Sequence, residues 1–272
     1  INDEHRIVYR PTEDSILTFA NWYPILAVRQ GNTWSISPVD GLGDAVTSET
    51  ALYRVEITAP SAWKIAATGV ELTQSVAGDW VTHQFASGPT RDFMLVASPS
   101  IEEKKQDDNG ISIRQWGVSE TTPRWDQAID VVKSSLRYYS RLYGKYPFRE
   151  LDIVAVPLNL ALGVEYPGLI LITDRDYESN SATSADLTVV LAHEVAHQWW
   201  YSVVGNDVSA HPWQDEALTT FSTYDFLRDY APGIHQYLQN SYRQRVSALE
   251  LSGANTDFTR PVSAYLSQPS TY

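Results

Sequence analysis

His193-Glu194-Val195-Ala196-His197 is the stretch on which the reading of the whole chain turns. An H-E-x-x-H on a helix sets two imidazoles at i and i+4, one turn apart on one face, where both rings reach a single Zn²⁺. The glutamate after the first histidine stays free to act as a base. A catalytic zinc takes a third protein ligand and keeps a position open for water. Eighteen residues separate His197 from Glu216, which lies in Pro212-Trp213-Gln214-Asp215-Glu216-Ala217-Leu218, the start of a further predicted helix. The expected metal set is therefore His193, His197 and Glu216 around one zinc ion per chain, with Glu194 as the catalytic base. The bland alternative is a chance pair of histidines on a buried helix. The chain has only six histidines, and such a coincidence would use two of them at ligand spacing.

At 272 residues the chain is long enough for one large or two ordinary domains. A hydrophobic content of 43% and a charged content of 19% describe a globular protein. The net charge of −13 argues against a nucleic-acid partner, because phosphate binding needs clustered Lys and Arg. Cysteine is absent, which excludes a disulfide framework and a thiolate metal site. No apolar run approaches the roughly eighteen residues of a membrane span. A cytosolic and a secreted enzyme are both compatible with this composition, with a secreted or cell-surface place the expectation. The chain opens at Ile1 and shows no signal peptide, so a processed or trimmed product is expected.

From Ile1 to about Thr121 the sequence predicts strands. Tyr53, Val55 and Ile57 alternate with Arg54, Glu56 and Thr58, the period of a strand with one buried face. Val81, His83 and Phe85 repeat the pattern, as do Phe93, Leu95 and Ala97, then Ile111 and Ile113. Turn formers separate them at Gly78-Asp79, Gly88-Pro89 and Asp107 to Gly110. Lys104 to Gly110 reads as a charged, solvated hairpin tip. The expectation is a β-rich N-terminal module over residues 1–121, an antiparallel sandwich or sheet.

Beyond Pro123 the period becomes helical: Ala128, Val131, Val132, Leu136, Tyr139 and Leu142 lead to Gly144, a helix stop. Leu151 to Val156 and Leu169 to Thr173 read as strands. Between them, Pro167 restricts Gly163-Val164-Glu165-Tyr166-Pro167-Gly168 to an edge or a turn. The motif helix follows, capped by Thr183 or Ser184, with Gly205 just past its end. Pro212 suits the first residue of the next helix, Pro232-Gly233 its end, and Ile234 to Leu251 a further helix. The expected fold class is α+β, with a second unit over residues 122–272 and the metal site between two successive helices.

These residues also carry a family resemblance. His193-Glu194-Val195-Ala196-His197-Gln198-Trp199-Trp200 resembles the zinc-helix motif of the zinc aminopeptidases of the aminopeptidase N and leukotriene-hydrolase type, within the gluzincins. Pro212-Trp213 to Glu216-Ala217 is similar to their third-ligand segment. Gly163 to Gly168 is similar to their exopeptidase motif G-x-M-E-N, with Val164 in place of methionine and Tyr166 in place of asparagine. Echoes at Trp22-Tyr23-Pro24 and Ala66-Ala67-Thr68-Gly69 extend the resemblance over most of the chain. It implies an antiparallel β N-terminal module followed by a thermolysin-like zinc peptidase domain, acting on peptides with a free N-terminus. It also implies that Glu165 binds the substrate's α-amine, and that Gly163 and the Val164 backbone pair with the substrate as an added strand. Members carry a longer N-terminal β-domain, a closing C-terminal helical domain and a transition-state tyrosine. The tyrosine would fall past Tyr272, with Tyr265 and Tyr272 the nearest here, so a fragment of a larger peptidase is expected.

Other residues receive plainer readings. Asp215 and Thr220 are placed as partners of the ligands or as ordinary helix-capping groups. Trp199 and Trp200 are read as core, His211 as a loop residue, and His5, His83 and His235 as ordinary. Two alternatives stand beside the aminopeptidase: a zinc endopeptidase or epoxide-type hydrolase, and a zinc-binding, weakly active peptide-binding module. Oligomeric state is left open.

Overall fold

The computed structural model of the protein describes residues 8–9, 16–35, 48–158, 161–177 and 184–252. His5, Thr183, Tyr265 and Tyr272 lie outside them. In chain order the opening strands are β1 (Val8–Tyr9), β2 (Leu17–Phe19), β3 (Val28–Gln30), β4 (Thr33–Ser35) and β5 (Ala51–Pro60). β6 (Lys64–Ala67), β7 (Val70–Ala77), β8 (Trp80–Thr90) and β9 (Leu95–Ser98) follow. They build antiparallel sheets with the orders β1-β2-β9-β6, β5-β8-β7 and β3-β4. The predicted alternation is present in β5: Tyr53, Val55 and Ile57 pack with Phe85, Phe93 and Leu95, while Arg54, Glu56 and Thr58 are exposed. Gly88-Pro89, read in the sequence as a break between strands, instead lies inside β8, which pairs on to Thr90. The β5-β8 register shifts between Ala51 and Tyr53, and such an irregularity is where a sheet tolerates proline.

β10 (Glu102–Asp108) and β11 (Ile111–Gly117) form the next hairpin. Its tip is only Asn109-Gly110, whose φ angles of 50° and 82° suit a type I′ turn; Lys104 to Asp108 belong to β10. α1 (Trp125–Tyr143) then carries the chain back so that β12 (Glu150–Val156) pairs parallel to β11. β13 (Gly163–Tyr166) and β14 (Leu169–Thr173) complete the order β10-β11-β12-β14-β13. This sheet is mixed, since β14 is also parallel to β12. It draws β10 and β11 from before position 121 and the other three strands from after it. β13 is an edge strand, and Pro167 lies in the turn that follows it.

The five-stranded sheet is covered on both faces. On one, Ile113, Leu151, Ile153, Ile170 and Ile172 join Val132, Leu136 and Tyr139 of α1 and Leu187, Leu191 and Val195 of α2 (Ser184–Ala196). On the other, Trp116, Val154, Val156, Leu169 and Leu171 meet Ala66, Met94 and Val96 of the N-terminal sheet. Each fully buried Leu, Ile or Val contributes about 1.5–3 kcal/mol, so these two layers hold α2 against the central strands of the sheet. α3 (Glu216–Tyr230) and α4 (Pro232–Ser252) follow, completing a mixed α/β fold with four α-helices among the described residues. No helix among them is long and apolar enough to cross a membrane.

Three sequence expectations about helix ends are corrected. α2 stops at Ala196, well before Gly205, because bonds from Gln198 N to Val195 O and from Trp199 N to Ala196 O replace the i to i−4 ladder. Gly205 is glycine for a different reason: a Cβ there would lie 2.6 Å from Arg91 Cζ. Pro212 opens a 3₁₀ turn, Pro212–Gln214, one step ahead of α3. Pro232 begins α4, its fixed φ suiting a first helical turn, and α3 closes on Ala231.

Candidate metal centre

The ligand atoms converge. His193 Nε2 lies 3.2 Å from Glu216 Oε2 and 3.1 Å from His197 Nε2, and His197 Nε2 lies 3.9 Å from Glu216 Oε2. Bonds of about 2.0–2.1 Å from one tetrahedral zinc would set its ligand atoms about 3.3 Å apart. The chemistry of the donors fits as well. His197 Nδ1 lies 2.7 Å from Asp215 Oδ1, 3.0 Å from Trp200 O and 3.1 Å from Thr219 Oγ1. A proton held there leaves the Nε2 lone pair facing His193, and a cation between the rings relieves that opposition. Burial alone would depress His197, but the carboxylates of Glu165, Asp215 and Glu216 outweigh it and raise its pKa well above the ordinary value. The negative field that would hold a proton on the ring also suits a divalent ion. Crowding pushes the Glu216 carboxyl up, yet its bond to His193 and the charge of both imidazoles pull it down to about 2. His197 is buried, whereas the Glu216 side chain is 47% exposed, so the site opens on the Glu216 side.

Glu194 sits beside this set with the profile of a base. It is buried, its Oε2 has no hydrogen-bond partner among the described residues, and burial pushes its carboxyl up to about 7 against the pull of both histidines. A group poised near neutrality both accepts and returns a proton readily. The edge strand β13 packs beside α2. A Cβ on Gly163 would lie 2.6 Å from Glu194 Cδ, so a larger residue there would displace the Glu194 side chain. Val164 is buried in the sheet core, and Glu165, also buried, stands 3.9 Å from His197 Nδ1. Glu165, Glu194 and His197 form a second close group of ligand-type atoms beside the first.

The structure thus brings together His193, Glu194, His197, Glu216, Glu165 and Gly163 of the residues singled out for the site, while the Val164 side chain packs in the core on the other face of the sheet. Asp215 contacts His197; Thr219, and not the expected Thr220, joins it. Helical spacing carried that signal: Thr219 shares a face with Asp215 at i+4, and Thr220 with Glu216. Gln198, part of the motif, receives no role of its own from the sequence. Its side chain bonds the turn that follows Glu165, with Nε2 donating to Tyr166 O at 3.0 Å and Oε1 accepting from Gly168 N at 2.9 Å. Trp199 is buried in the core as read, while Trp200 is half-buried and donates to Ser222 Oγ at 2.8 Å. His211 precedes the 3₁₀ turn, away from the ligand set.

Comparison with known proteins agrees with this geometry. The model of the Peptidase family M1 domain matches residues 127–271, more than half of the chain, and that span includes every residue of the centre. The chain belongs to peptidase family M1. Aminopeptidase M1-D of Oryza sativa subsp. japonica is 26% identical over 195 residues, covering 67% of the chain and 22% of that protein. Aminopeptidase N of Haemonchus contortus is 24% identical over 187 residues, 64% of the chain and 19% of that protein. Probable aminopeptidase 1 of Sulfurisphaera tokodaii is 27% identical over 148 residues, 52% of the chain and 18% of that protein. The chain spans about a fifth of the length of these curated M1 relatives.

Proposed function

We propose that this chain carries the catalytic centre of a zinc-dependent aminopeptidase with a thermolysin-like arrangement of ligands. The observation that carries the proposal is the convergence of His193, His197 and Glu216 at ligand spacing beside a buried glutamate that is not a member of the set. One zinc ion held by these three side chains would polarise the scissile carbonyl and acidify a water molecule. Glu194 would take the water's proton on its carboxylate and hand it to the leaving amine. Glu165 would hold the free α-ammonium of a peptide by a charge-assisted hydrogen bond, limiting cleavage to the first residue. Gly163 and the Val164 backbone would pair with the substrate along the outer edge of β13, adding it as a strand. The names of the M1 relatives support the same class of reaction.

The test is a pair of variants in the intact protein. Glu194→Gln should retain one equivalent of zinc and lose about 10²–10⁴-fold in turnover, the usual worth of a general base. His197→Ala should lose the metal. A Glu194→Gln protein without zinc, or a His197→Ala protein with it, would reverse these assignments. Equal cleavage of N-acetylated and free peptides would instead identify an endopeptidase.

A further inference from the structure

Gln198 follows the second histidine of the motif directly, yet its side chain serves another element. It is fully buried, and both ends of its amide are spent on the turn Tyr166-Pro167-Gly168. Gly168 takes φ of 74° after a proline, the arrangement of a type II turn. Unprimed turns do not match the twist of hairpin strands, whereas primed ones do. The β13-β14 hairpin is therefore poorly set by its own turn. β13 also has a neighbouring strand on one side only. The pair of bonds from Gln198 ties the end of this strand to the segment just past α2.

We propose that Gln198 is a positioning residue that sets the distance between the amine-holding Glu165 and the metal ligands. The inference rests on the reading of Glu165 given above. Glu165 is one residue before Tyr166, and Gln198 one residue after His197, so two hydrogen bonds tie the amine end of the site to its metal end. Misplacement by about 1 Å is enough to cost on the order of 10²-fold in a positioned reaction. His197, the ligand next to Gln198, has supports of its own in Asp215 and Thr219, so releasing the clamp displaces Glu165 and leaves the ligand set in place.

Gln198→Met removes both bonds at similar size, and Gln198→Glu keeps only the acceptor for Gly168 N–H. In the intact protein both should bind one equivalent of zinc. Gln198→Met should raise KM for a free-amine amide substrate about tenfold with a smaller change in kcat, and Gln198→Glu should show part of that rise. Calorimetric affinity for leucinol should fall in parallel, while that for N-acetyl-leucinol stays as in the wild type. In a Glu165→Gln background, Gln198→Met should have no further effect on KM. An equal effect in both backgrounds would mean general loosening and would overturn the proposal. So would a folded, zinc-loaded Gln198→Glu protein with wild-type KM and leucinol affinity, a result that decides the matter even where Gln198→Met does not fold. Wild-type KM in Glu165→Gln itself would instead bring down the reading of Glu165, whereas a raised KM there with none in Gln198→Met removes the clamp alone.

Discussion

Gly163 is the glycine whose identity bears directly on the site. Its missing side chain is the space that Glu194 occupies, and Glu194 is only 4% exposed, with little room to retreat. Gly163→Ala should therefore shift the base and lower kcat by about tenfold or more while zinc content stays at one equivalent. Steady-state kinetics and metal analysis check this; unchanged kcat would mean that Glu194 relaxes freely around a methyl group. The four central residues, His193, Glu194, His197 and Glu216, are legible in the sequence because H-E-x-x-H sets the two histidines on one helix face beside a glutamate, and a further acidic residue follows at the spacing of a third ligand. The constraint on Gly163 is not, since it comes from a side chain on another element and leaves no local pattern. Gln198 escapes notice for the same reason: a buried glutamine beside two tryptophans looks like any other until its partners on the turn are seen.

Among the elements, the start of α3 decides how His197 is held. Asp215 lies between the 3₁₀ turn and the helix, with its Oδ1 on His197 Nδ1, and Thr219 approaches the same atom from one turn on. Removing such a partner typically weakens metal binding about 10–100-fold. Asp215→Ala should do so, and Asp215→Asn, which keeps an acceptor, should do so less; competition with a chromophoric chelator measures both. Equal zinc affinity in all three proteins would deny Asp215 this part. Periodicity is enough to place α1, β12 and β14, and Pro167 enough to mark the turn that ends β13. It fails at Gly205 and Pro232 because each residue has several physical uses. Glycine serves close approach as well as helix ends, and proline opens helices as well as stopping them.

Across the whole molecule, the loop after α2 is tied to the N-terminal sheets by buried polar contacts. Arg91 Nη2 donates to Asn206 O at 2.8 Å, and Tyr201 Oη donates to Asp92 Oδ2 at 2.5 Å. Burial pushes the Asp92 carboxyl up to about 6, against the Tyr201 hydrogen bond and the Arg91 charge, which both pull it down. The folded protein thus holds this proton more tightly than the unfolded chain, whose carboxyl has the ordinary value of 3.8. The resulting stability is full below about pH 4 and is lost as pH rises through about 6. Urea unfolding from pH 4 to 7 should show the wild type losing on the order of 3 kcal/mol relative to Asp92→Asn across that window. Parallel curves would show that Asp92 does not titrate in this way. None of this is legible in the sequence, where Arg91-Asp92 is an ordinary charged pair. The same sheets also bear on how the protein is made. β2, at Leu17–Phe19, hydrogen-bonds to β9, at Leu95–Ser98, with the whole of the β5-β8-β7 sheet encoded in between. A ribosome delivers the chain from its N-terminus, so the early strand leaves the exit tunnel long before its partner is translated. Until Leu95 emerges, β2 can pair with β1 but has no partner on its other edge, so closure of that sheet waits on one late strand.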